Sequence, residues 1–189
     1  MRYILASASE RRKELLSRLV DNFDIIVSDF EEDKIEFKGD IESYVISLSE
    51  GKALNVVSKN TDDAIIIIAA DTIVSINNKI LGKPNDKEDA YDMLKLLSDN
   101  VHRVYSAVTV INTSTNKMES KCIYTEVYFS KLTDEEIWNY INTGECDDKA
   151  GAYGIQGFGG IFVEKINGCY YNVVGLPLNL LNKMLSRIK

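Results

Sequence analysis

The feature that most constrains the fold is an uninterrupted apolar run from Ala64 to Ala70, in which isoleucine predominates. A run of this kind without polar residues is typical of a central strand that is covered on both faces of a sheet. We therefore predict a buried strand here that ends at Asp71. The run is far too short to cross a bilayer, so it predicts no membrane span.

Strand and helix patterns alternate on both sides of this run. Short apolar or alternating segments predict strands at residues 3–6, 24–27, 104–111, 122–129, 161–166 and 171–174, and a small hairpin at residues 73–81. Apolar residues at helical spacing predict helices that begin near Ser9, Ile41, Ala90, Thr133 and Pro177. Mixed strands and helices in this order predict an α/β or α+β fold with a mixed sheet.

The 189 residues show no linker or repeat, so we expect a single domain that spans residues 1–189. Three cysteines and one histidine form no recognisable zinc site, and we expect reduced thiols. The chain starts without a signal-peptide pattern, so we expect a cytoplasmic protein. A net charge of −7 argues against a broad basic face for nucleic acid, so any anionic ligand has to meet local basic residues.

Local basic residues occur first in the segment from Ser7 to Lys13, which includes Arg11 and Arg12. Hydroxyls, backbone amides and guanidinium groups at the start of a helix form a place where a phosphate would fit. The alternative is an ordinary helix start, with Ser9 as the N-cap and arginines on the surface. Glu10 adds a negative charge at the same place.

Two further lysines stand in unusual positions. Lys52 falls on the apolar stripe of its helix, between Leu48 and Val56, where it either has a functional partner or extends to solvent. Lys83 precedes Pro84 in a stiff turn that would hold its ammonium in a fixed direction, although the residue types alone favour a plain turn.

Carboxylates follow two of the predicted strands. Glu31, Glu32 and Asp33 could hold a divalent cation through oxygen ligands, but acidic triplets on loops are usually only solvated. Asp71 is the stronger candidate, because ligand sites of open sheets are commonly built at the carboxyl ends of strands. The alternative is an aspartate that merely ends a strand and starts a turn.

Glycine is dense near the end of the chain, where it makes up five of the ten residues from Gly151 to Gly160. A plain surface turn rarely requires so many, and backbone without side chains can approach a ligand closely. We therefore favour a ligand-binding segment from Asp148 to Gly157. His102, the single histidine, is interpreted as structural.

Taken together and in order, these segments resemble the motifs of the Maf family. The matching segments are Leu5-Ala6-Ser7, Ser9, Arg11-Arg12, Glu14-Leu15-Leu16, Ala70-Asp71-Thr72, Gly82-Lys83-Pro84, Leu97-Ser98 with His102, Thr125-Glu126-Val127, Asp148 through Gly157, and Gly175-Leu176-Pro177-Leu178. The resemblance covers essentially the whole chain. Glu10 departs from it, because the family usually has proline at this position.

The resemblance implies an inosine-triphosphatase-like fold, with a mixed central sheet in two lobes around a cleft, and usually a homodimer. It also implies an enzyme that cuts a nucleoside triphosphate between the α- and β-phosphates with a divalent metal cation, Mg²⁺ or Mn²⁺. Three places resemble the branch of the family that acts on dTTP and UTP. These are the Arg-Arg pair, the Asp-Thr dipeptide and the stretch Gly-Ala-Tyr-Gly-Ile-Gln-Gly.

On this resemblance we expect Asp71 to be the catalytic base and, with Glu32, a metal ligand. The expected substrate-binding residues are Ser7, Arg11, Arg12, Lys52, Thr72, Lys83, Asp148, Lys149 and Gln156. Among them, Arg11, Thr72 and Gln156 are expected to select the base. Two alternatives stay open: a nucleotide-binding regulator of septum formation or cell division with little turnover, and a pyrophosphatase for modified pyrimidine nucleotides.

Overall fold

The computed structural model describes residues 1–60 and 64–188 of the chain. Its strands are Arg2–Leu5 (β1), Asp24–Ile25 (β2), Ile65–Ile76 (β3), Lys79–Leu81 (β4), Val101–Asn112 (β5), Lys117–Phe129 (β6) and Val163–Asn167 (β7). Its α-helices are Glu10–Leu16 (α1), Ile41–Ser58 (α2), Lys87–Leu97 (α3), Asp134–Ile141 (α4), Tyr170–Val174 (α5) and Leu178–Ile188 (α6). Short 3₁₀ turns are formed by Glu32–Lys34, Ala150–Ala152 and Phe158–Phe162.

The strands pair in the order β2-β1-β3-β5-β6-β7, and β4 adds to β3. Strand β1 runs parallel to both of its neighbours, with Ile4 opposite Asp24 of β2 and Ile67 of β3. Strand β4 is antiparallel to β3, and β7 is antiparallel to β6. A sheet that contains both kinds of pair is mixed, so the predicted fold class is confirmed.

Strand β3 is the predicted central strand, and each of residues 65–70 is at most 1% exposed. The prediction that it ends at Asp71 is wrong, because the strand continues to Ile76. Its second half pairs with β4 through a turn at Asn77 and Asn78, whose φ angles of 51° and 61° are those of a type I′ turn. The predicted hairpin thus provides the pairing that extends β3 past Asp71.

The chain divides into two compact units. The first contains Met1–Asp71, Ser106–Ile123 and the segment from Gly175 onward, and the second contains Thr72–Tyr105 and Tyr124–Val174. The first has a core that includes Ile4, Ala53, Val56, Ile67 and Ile111. The second has a core that includes Leu94, Phe129, Ile137, Tyr153 and Phe162.

Predicted helix starts are confirmed at α1 and α4. Ser9 is the N-cap of α1, and its hydroxyl accepts a hydrogen bond from the backbone N–H of Arg12. Thr133 and Glu136 form a reciprocal capping box at α4, in which the Glu136 N–H donates to Thr133 Oγ1 at 3.2 Å and the Thr133 N–H donates to Glu136 Oε2 at 2.8 Å. Each cap satisfies backbone N–H groups that the first helical turn leaves unpaired.

The prediction of a strand at residues 171–174 is wrong, because these residues belong to helix α5. Neighbouring valines favour an extended chain locally. However, Asn172 is buried, and its side-chain amide donates to the backbone oxygen of Val104 at 2.8 Å and to Thr125 Oγ1 at 3.0 Å. These tertiary bonds outweigh the local preference.

Smaller differences concern segment ends and two of the general expectations. The strand predicted at residues 161–166 begins only at Val163, after a 3₁₀ turn, and β2 is shorter than predicted. The three cysteines are free thiols, as predicted. Within the described residues, no helix is both long enough and apolar enough to span a membrane.

Candidate functional site

Arg12, in the first turn of α1, donates hydrogen bonds to Ser7 and to Gly175. Ser7 is buried, and its Oγ accepts hydrogen bonds from the backbone N–H of Ser9 at 3.2 Å and from Arg12 Nη1 at 3.3 Å. On its other side, Arg12 donates from Nε to the backbone oxygen of Gly175 at 2.9 Å. The guanidinium is therefore fixed within the first unit.

Electrostatic interactions link Arg12 to two carboxylates of the same unit. Burial lowers the pKa of Arg12 from its ordinary value, and the carboxylate of Asp71 is the next largest influence and raises it. Smaller effects come from Arg11, which lowers the pKa, and from Glu32, which raises it. Because an arginine keeps its proton in proteins, a permanent positive charge lies in the field of both carboxylates.

Glu10, which departs from the family motif, lies beside Lys13 on the same helix. Its side chain is largely exposed, and its Oε2 lies 3.5 Å from the ammonium of Lys13, one turn along the same helix. An exposed pair of this kind has a weak and screened field. The extra negative charge is therefore partly neutralised locally.

Lys52 lies between two carboxylates, and we call Glu32, Lys52 and Asp71 the Lys52 cluster. The ammonium contacts Oδ1 of Asp71 and lies 2.8 Å from Oε1 of Glu32. The side chain of Lys52 is 15% exposed and that of Asp71 is 9% exposed. The alternative in which Lys52 extends to solvent is thus wrong, and this ion pair is largely removed from water.

The loop that carries Glu32 is held on helix α2 by hydrogen bonds and by packing. Asn55 accepts a hydrogen bond from the backbone N–H of Asp29 at 3.2 Å and donates to the carboxylate of Asp29 at 2.7 Å. The ring of Phe30 lies against Gly51, where an added Cβ would be only 2.3 Å from a ring atom. Glycine in mid-helix therefore allows the acidic loop to approach α2 beside the lysine.

Tyr44 is a residue of this site that the sequence analysis missed. Burial raises its pKa, and the carboxylates of Asp71 and Glu32 raise it further. Its phenol therefore lies in the field of the Lys52 cluster. The signal was present in the spacing, because Tyr44, Leu48 and Lys52 follow each other at four-residue intervals on one face of α2.

The donors of the Lys52 cluster fit a divalent cation. The carboxylates of Glu32 and Asp71 converge on one positive atom, so hard oxygen donors meet at a common point. Magnesium is usually bound by one or two carboxylates together with substrate phosphates. Among residues 1–60 and 64–188, no group of three or more His, Cys, Asp or Glu side chains is arranged to hold a metal. A cation at the Lys52 cluster would therefore also need oxygens from the substrate.

In the second unit, the turn with Lys83 is joined to the glycine-rich segment. The backbone N–H of Gly151 donates to the backbone oxygen of Gly82 at 2.9 Å. Gly151 has a φ of 69°, and an added Cβ would lie 3.0 Å from Val74, so only glycine fits here without strain. Lys83 itself is exposed beside this junction.

The other predicted residues of the second unit differ in their surroundings. The ammonium of Lys149 lies 2.5 Å from Oδ1 of Asp148 and donates to the backbone oxygen of Glu145 at 2.9 Å. With 14% exposure, the Lys149 side chain stabilises its own segment. Gln156 is exposed, and Thr72 directly follows Asp71 on β3.

His102 is buried in the core of the second unit, which agrees with its interpretation as structural. Its Nε2 lies 2.7 Å from the hydroxyl of Tyr153, and its ring packs edge-on against Phe129 and Tyr153. Burial lowers the pKa of His102 to about 3. The imidazole is therefore neutral at physiological pH.

The predicted site residues thus fall into two groups. The first unit connects Ser7 with Arg12, and Glu32 with Lys52 and Asp71, and it also contains Arg11. The second unit contains Thr72, Lys83, Asp148, Lys149 and Gln156. Their roles in binding and catalysis stay predictions. An α/β fold that fixes cations and carboxylates in this way is typical of enzymes that act on phosphorylated substrates.

Comparisons with known proteins define the class further. The family model described as Maf-like protein matches residues 2–188, so the chain belongs to the Maf family. It is 60% identical over 186 residues to a protein of Clostridium botulinum (strain Eklund 17B / Type B) named dTTP/UTP pyrophosphatase, with 98% of each chain covered. A protein of Clostridium beijerinckii with the same name is 59% identical over 189 residues, with 100% of each chain covered.

Among solved structures, the chain is similar to a HAM1 protein from Coxiella burnetii. The TM-score is 0.53 at 13% sequence identity, and 99% of each chain is covered. At this identity the likeness concerns the fold alone. It confirms the expected inosine-triphosphatase-like fold.

Proposed function

We propose that this protein is a nucleoside triphosphate pyrophosphatase that converts dTTP and UTP to the monophosphate and pyrophosphate. Membership of the Maf family and the names of relatives at 60% and 59% identity support this reaction and these substrates. The observation in this chain that carries the proposal is the Lys52 cluster beside Arg12. It combines fixed positive charge with carboxylate oxygens in one unit.

The cations bind the triphosphate. Arg12 is held in place by Ser7 and Gly175, so little conformational freedom is lost when it pairs with phosphate oxygens. Ser7 accepts two hydrogen bonds in the structure and keeps its own hydroxyl proton to donate to a phosphate. Lys52 and Lys83 supply two further positive charges for the triphosphate.

Asp71 takes the proton from the water that attacks the α-phosphorus, and pyrophosphate leaves. The contact with Lys52 fixes the direction of the carboxylate, which a general base needs in order to receive a proton in the transition state. No covalent intermediate is needed, because neutralisation of charge and alignment of water dominate this kind of reaction.

Glu32 and Asp71 would hold the divalent cation, Mg²⁺ or Mn²⁺. When bound, such a cation neutralises phosphate charge and acts as a Lewis acid. Asn55 and Gly51 hold the loop of Glu32 on α2, so this loop would bring the second carboxylate to the cation.

Selection of the base belongs to Arg11, Thr72 and Gln156, and Asp148 and Lys149 complete the substrate-binding set. The exposed amide of Gln156 has both a donor and an acceptor, as an edge of a thymine or uracil ring also has. Modified pyrimidine nucleotides present a similar edge and are therefore included among the substrates.

The setting of the enzyme is also part of the proposal. Free thiols at all three cysteines fit a reducing compartment, and nucleoside triphosphates are metabolites of the cytoplasm. We place the protein there as a homodimer, the usual state in its family. Light scattering on the purified protein measures the mass, and a value near 21.3 kDa at assay concentration would contradict the dimer.

A panel assay tests the function. The purified protein is incubated with dTTP, UTP and the other common triphosphates, with and without Mg²⁺, and released pyrophosphate is measured. We expect turnover of dTTP and UTP that requires the metal. Binding of nucleotide without turnover would instead favour a regulator of septum formation or cell division, and absence of both would overturn the proposal.

Asp71→Asn tests the assignment of the base. We expect turnover to fall by roughly 10² to 10⁴-fold, the usual worth of a general base, with nucleotide binding by calorimetry largely kept. Asp21→Asn is the matched control, since Asp21 is an exposed aspartate of the same unit. Full activity in a folded Asp71→Asn protein would remove Asp71 from the mechanism.

A further inference from the structure

The glycine-rich segment of the second unit is wrapped around one carboxylate of the protein itself. Glu145 Oε2 accepts a hydrogen bond from the backbone N–H of Phe158 at 2.8 Å. Its Oε1 accepts from the backbone N–H of Gly159 at 3.2 Å and from the hydroxyl of Tyr140 at 3.0 Å. Three donors therefore meet on one side chain.

Tyr140 extends this arrangement to the other end of the segment. Its hydroxyl oxygen accepts a hydrogen bond from the backbone N–H of Gly154 at 3.2 Å while it donates to Glu145. Burial, together with the nearby Glu145, raises the pKa of Tyr140, so the phenol keeps the proton that it donates. Residues 154–159 are thus held at both ends by Glu145 and Tyr140, and we call them the clamped loop.

The glycines of the clamped loop provide the space for these contacts. A Cβ on Gly157 would lie 2.0 Å from Glu145 Oε2, and a Cβ on Gly154 would lie 2.7 Å from a side-chain carbon of Lys149 and 3.2 Å from Glu145 Oε1. Distances below about 3 Å do not occur between such atoms. The close approach that glycine permits at these two positions is therefore made by side chains of this chain.

Gln156 is exposed, together with its neighbours Gly157 and Phe158, and it carries the only polar side chain of the clamped loop. It lies between the two anchored ends, two residues after Gly154 and two residues before Phe158. Its backbone position therefore depends on both anchors. A side chain that recognises a base has to be held within a fraction of an ångström of its productive position.

We propose that Glu145 is a positioning residue for base selection, which holds the clamped loop so that Gln156 meets the pyrimidine. The inference rests on the proposed function, because Gln156 has a base to select only in a nucleotide-cleaving enzyme. Glu145 touches no reacting atom. It acts through the backbone N–H groups of Phe158 and Gly159 and through Tyr140.

The test is a double-mutant cycle in the full-length protein. The variants are Glu145→Gln, Gln156→Ala and the double variant, and kcat and KM are measured for dTTP, UTP and dCTP with Mg²⁺. Glu145→Gln keeps the size of the side chain but places an NH₂ group where one of the backbone N–H groups or the phenol donates. Glu135→Gln is the matched control, because Glu135 is an exposed glutamate on α4.

The expected effect of Glu145→Gln is a rise in KM for dTTP and UTP of roughly tenfold, the worth of about one hydrogen bond, with kcat changed little. The preference for dTTP over dCTP falls in parallel. Once Gln156 is alanine, Glu145→Gln has little further effect, because the two residues act through one contact. Losses that multiply in the double variant, or a fall in kcat alone, would overturn the positioning role.

Amide hydrogen exchange tests the clamp without any nucleotide. We expect exchange at Phe158 and Gly159 to become about tenfold faster in Glu145→Gln and to stay unchanged in Glu135→Gln. Unchanged protection in Glu145→Gln would refute the clamp. If the wild-type protein releases no pyrophosphate from any triphosphate, the proposed function fails, and with it the role in base selection. If the wild type releases pyrophosphate but the losses of the two single variants multiply in the double variant, only the positioning role is refuted.

Discussion

The buried ion pair between Lys52 and Asp71 gives a sharp prediction about stability. Lys52→Met keeps the length of the apolar stem but removes the ammonium, which leaves the Asp71 carboxylate with 9% exposure and without its nearest cation. Removal of one partner of a buried pair typically costs about 3–5 kcal/mol. Because Arg12 still acts on Asp71, we take the lower end, about 3 kcal/mol.

For a chain of this size, about 3 kcal/mol corresponds to a fall in Tm of roughly 6–12 °C. Thermal and urea unfolding of the variant measure it. The double variant with Lys52→Met and Asp71→Asn removes the stranded charge as well, so it should recover more than half of the loss. Lys59→Met is the matched control at the C-terminal end of the same helix, because Lys59 pairs with a carboxylate that is 73% exposed, and a pair of this kind is worth under about 1 kcal/mol.

Two results would refute this reasoning. One is a Lys52→Met protein whose free energy of unfolding is within about 1 kcal/mol of the wild-type value, since loss of Lys52 would then leave no buried carboxylate without a partner. The other is a double variant that is no more stable than Lys52→Met. Either result would also weaken the view that Asp71 is held in a fixed direction for catalysis.

Three further predictions concern the second unit. Gln156→Glu should shift the ranking of dTTP and UTP against other triphosphates in the pyrophosphate assay, and an unchanged ranking would defeat its selectivity role. The pKa of His102 is lowered to about 3, so the imidazole in the unfolded chain takes up a proton first as the pH falls. The contribution of His102 to the free energy of unfolding is therefore complete above about pH 6.5 and is lost as the pH falls toward 3. Urea unfolding should show a loss of about 2 kcal/mol between pH 7 and pH 5 from this group, and His102→Phe should flatten the profile over that range. Gly151→Leu should destabilise the protein by at least about 1 kcal/mol, since φ is positive there and Val74 fills the space, whereas normal stability would contradict the observed packing.

Sequence patterns predicted those parts of the fold that depend on local contacts. The isoleucine run identified β3, Thr133 and Glu136 identified the start of α4, and Asn77 with Asn78 identified the turn to β4. Each of these signals lies within a few residues of the structure that it specifies. Two features were missed: the continuity of β3 with the predicted hairpin past Asp71, and the helical conformation around the buried Asn172, which depends on distant partners.

The candidate site was predictable to a similar degree. Lys52 stood out because a lysine on an apolar stripe needs a reason, and the structure supplies two carboxylates as its partners. Asp71 was selected as a strand-end residue, but it lies within β3 and is directed by Lys52 instead. The pairing joins residues nineteen positions apart, on a helix and on a strand, and no spacing rule in the sequence connects them.

The glycine-rich segment shows why a correct signal led to an incomplete interpretation. Dense glycine predicted a segment that a ligand can approach closely, and in the structure Gly154 and Gly157 leave no space for a Cβ. At these two positions the approaching atoms belong to Lys149 and to Glu145, which is separated from the loop by a turn and gives no pattern of its own. Glycine here stabilises one loop conformation by admitting an internal anion. A ligand would then contact the exposed side chains of the clamped loop, so the amide of Gln156 is the informative position for mutation.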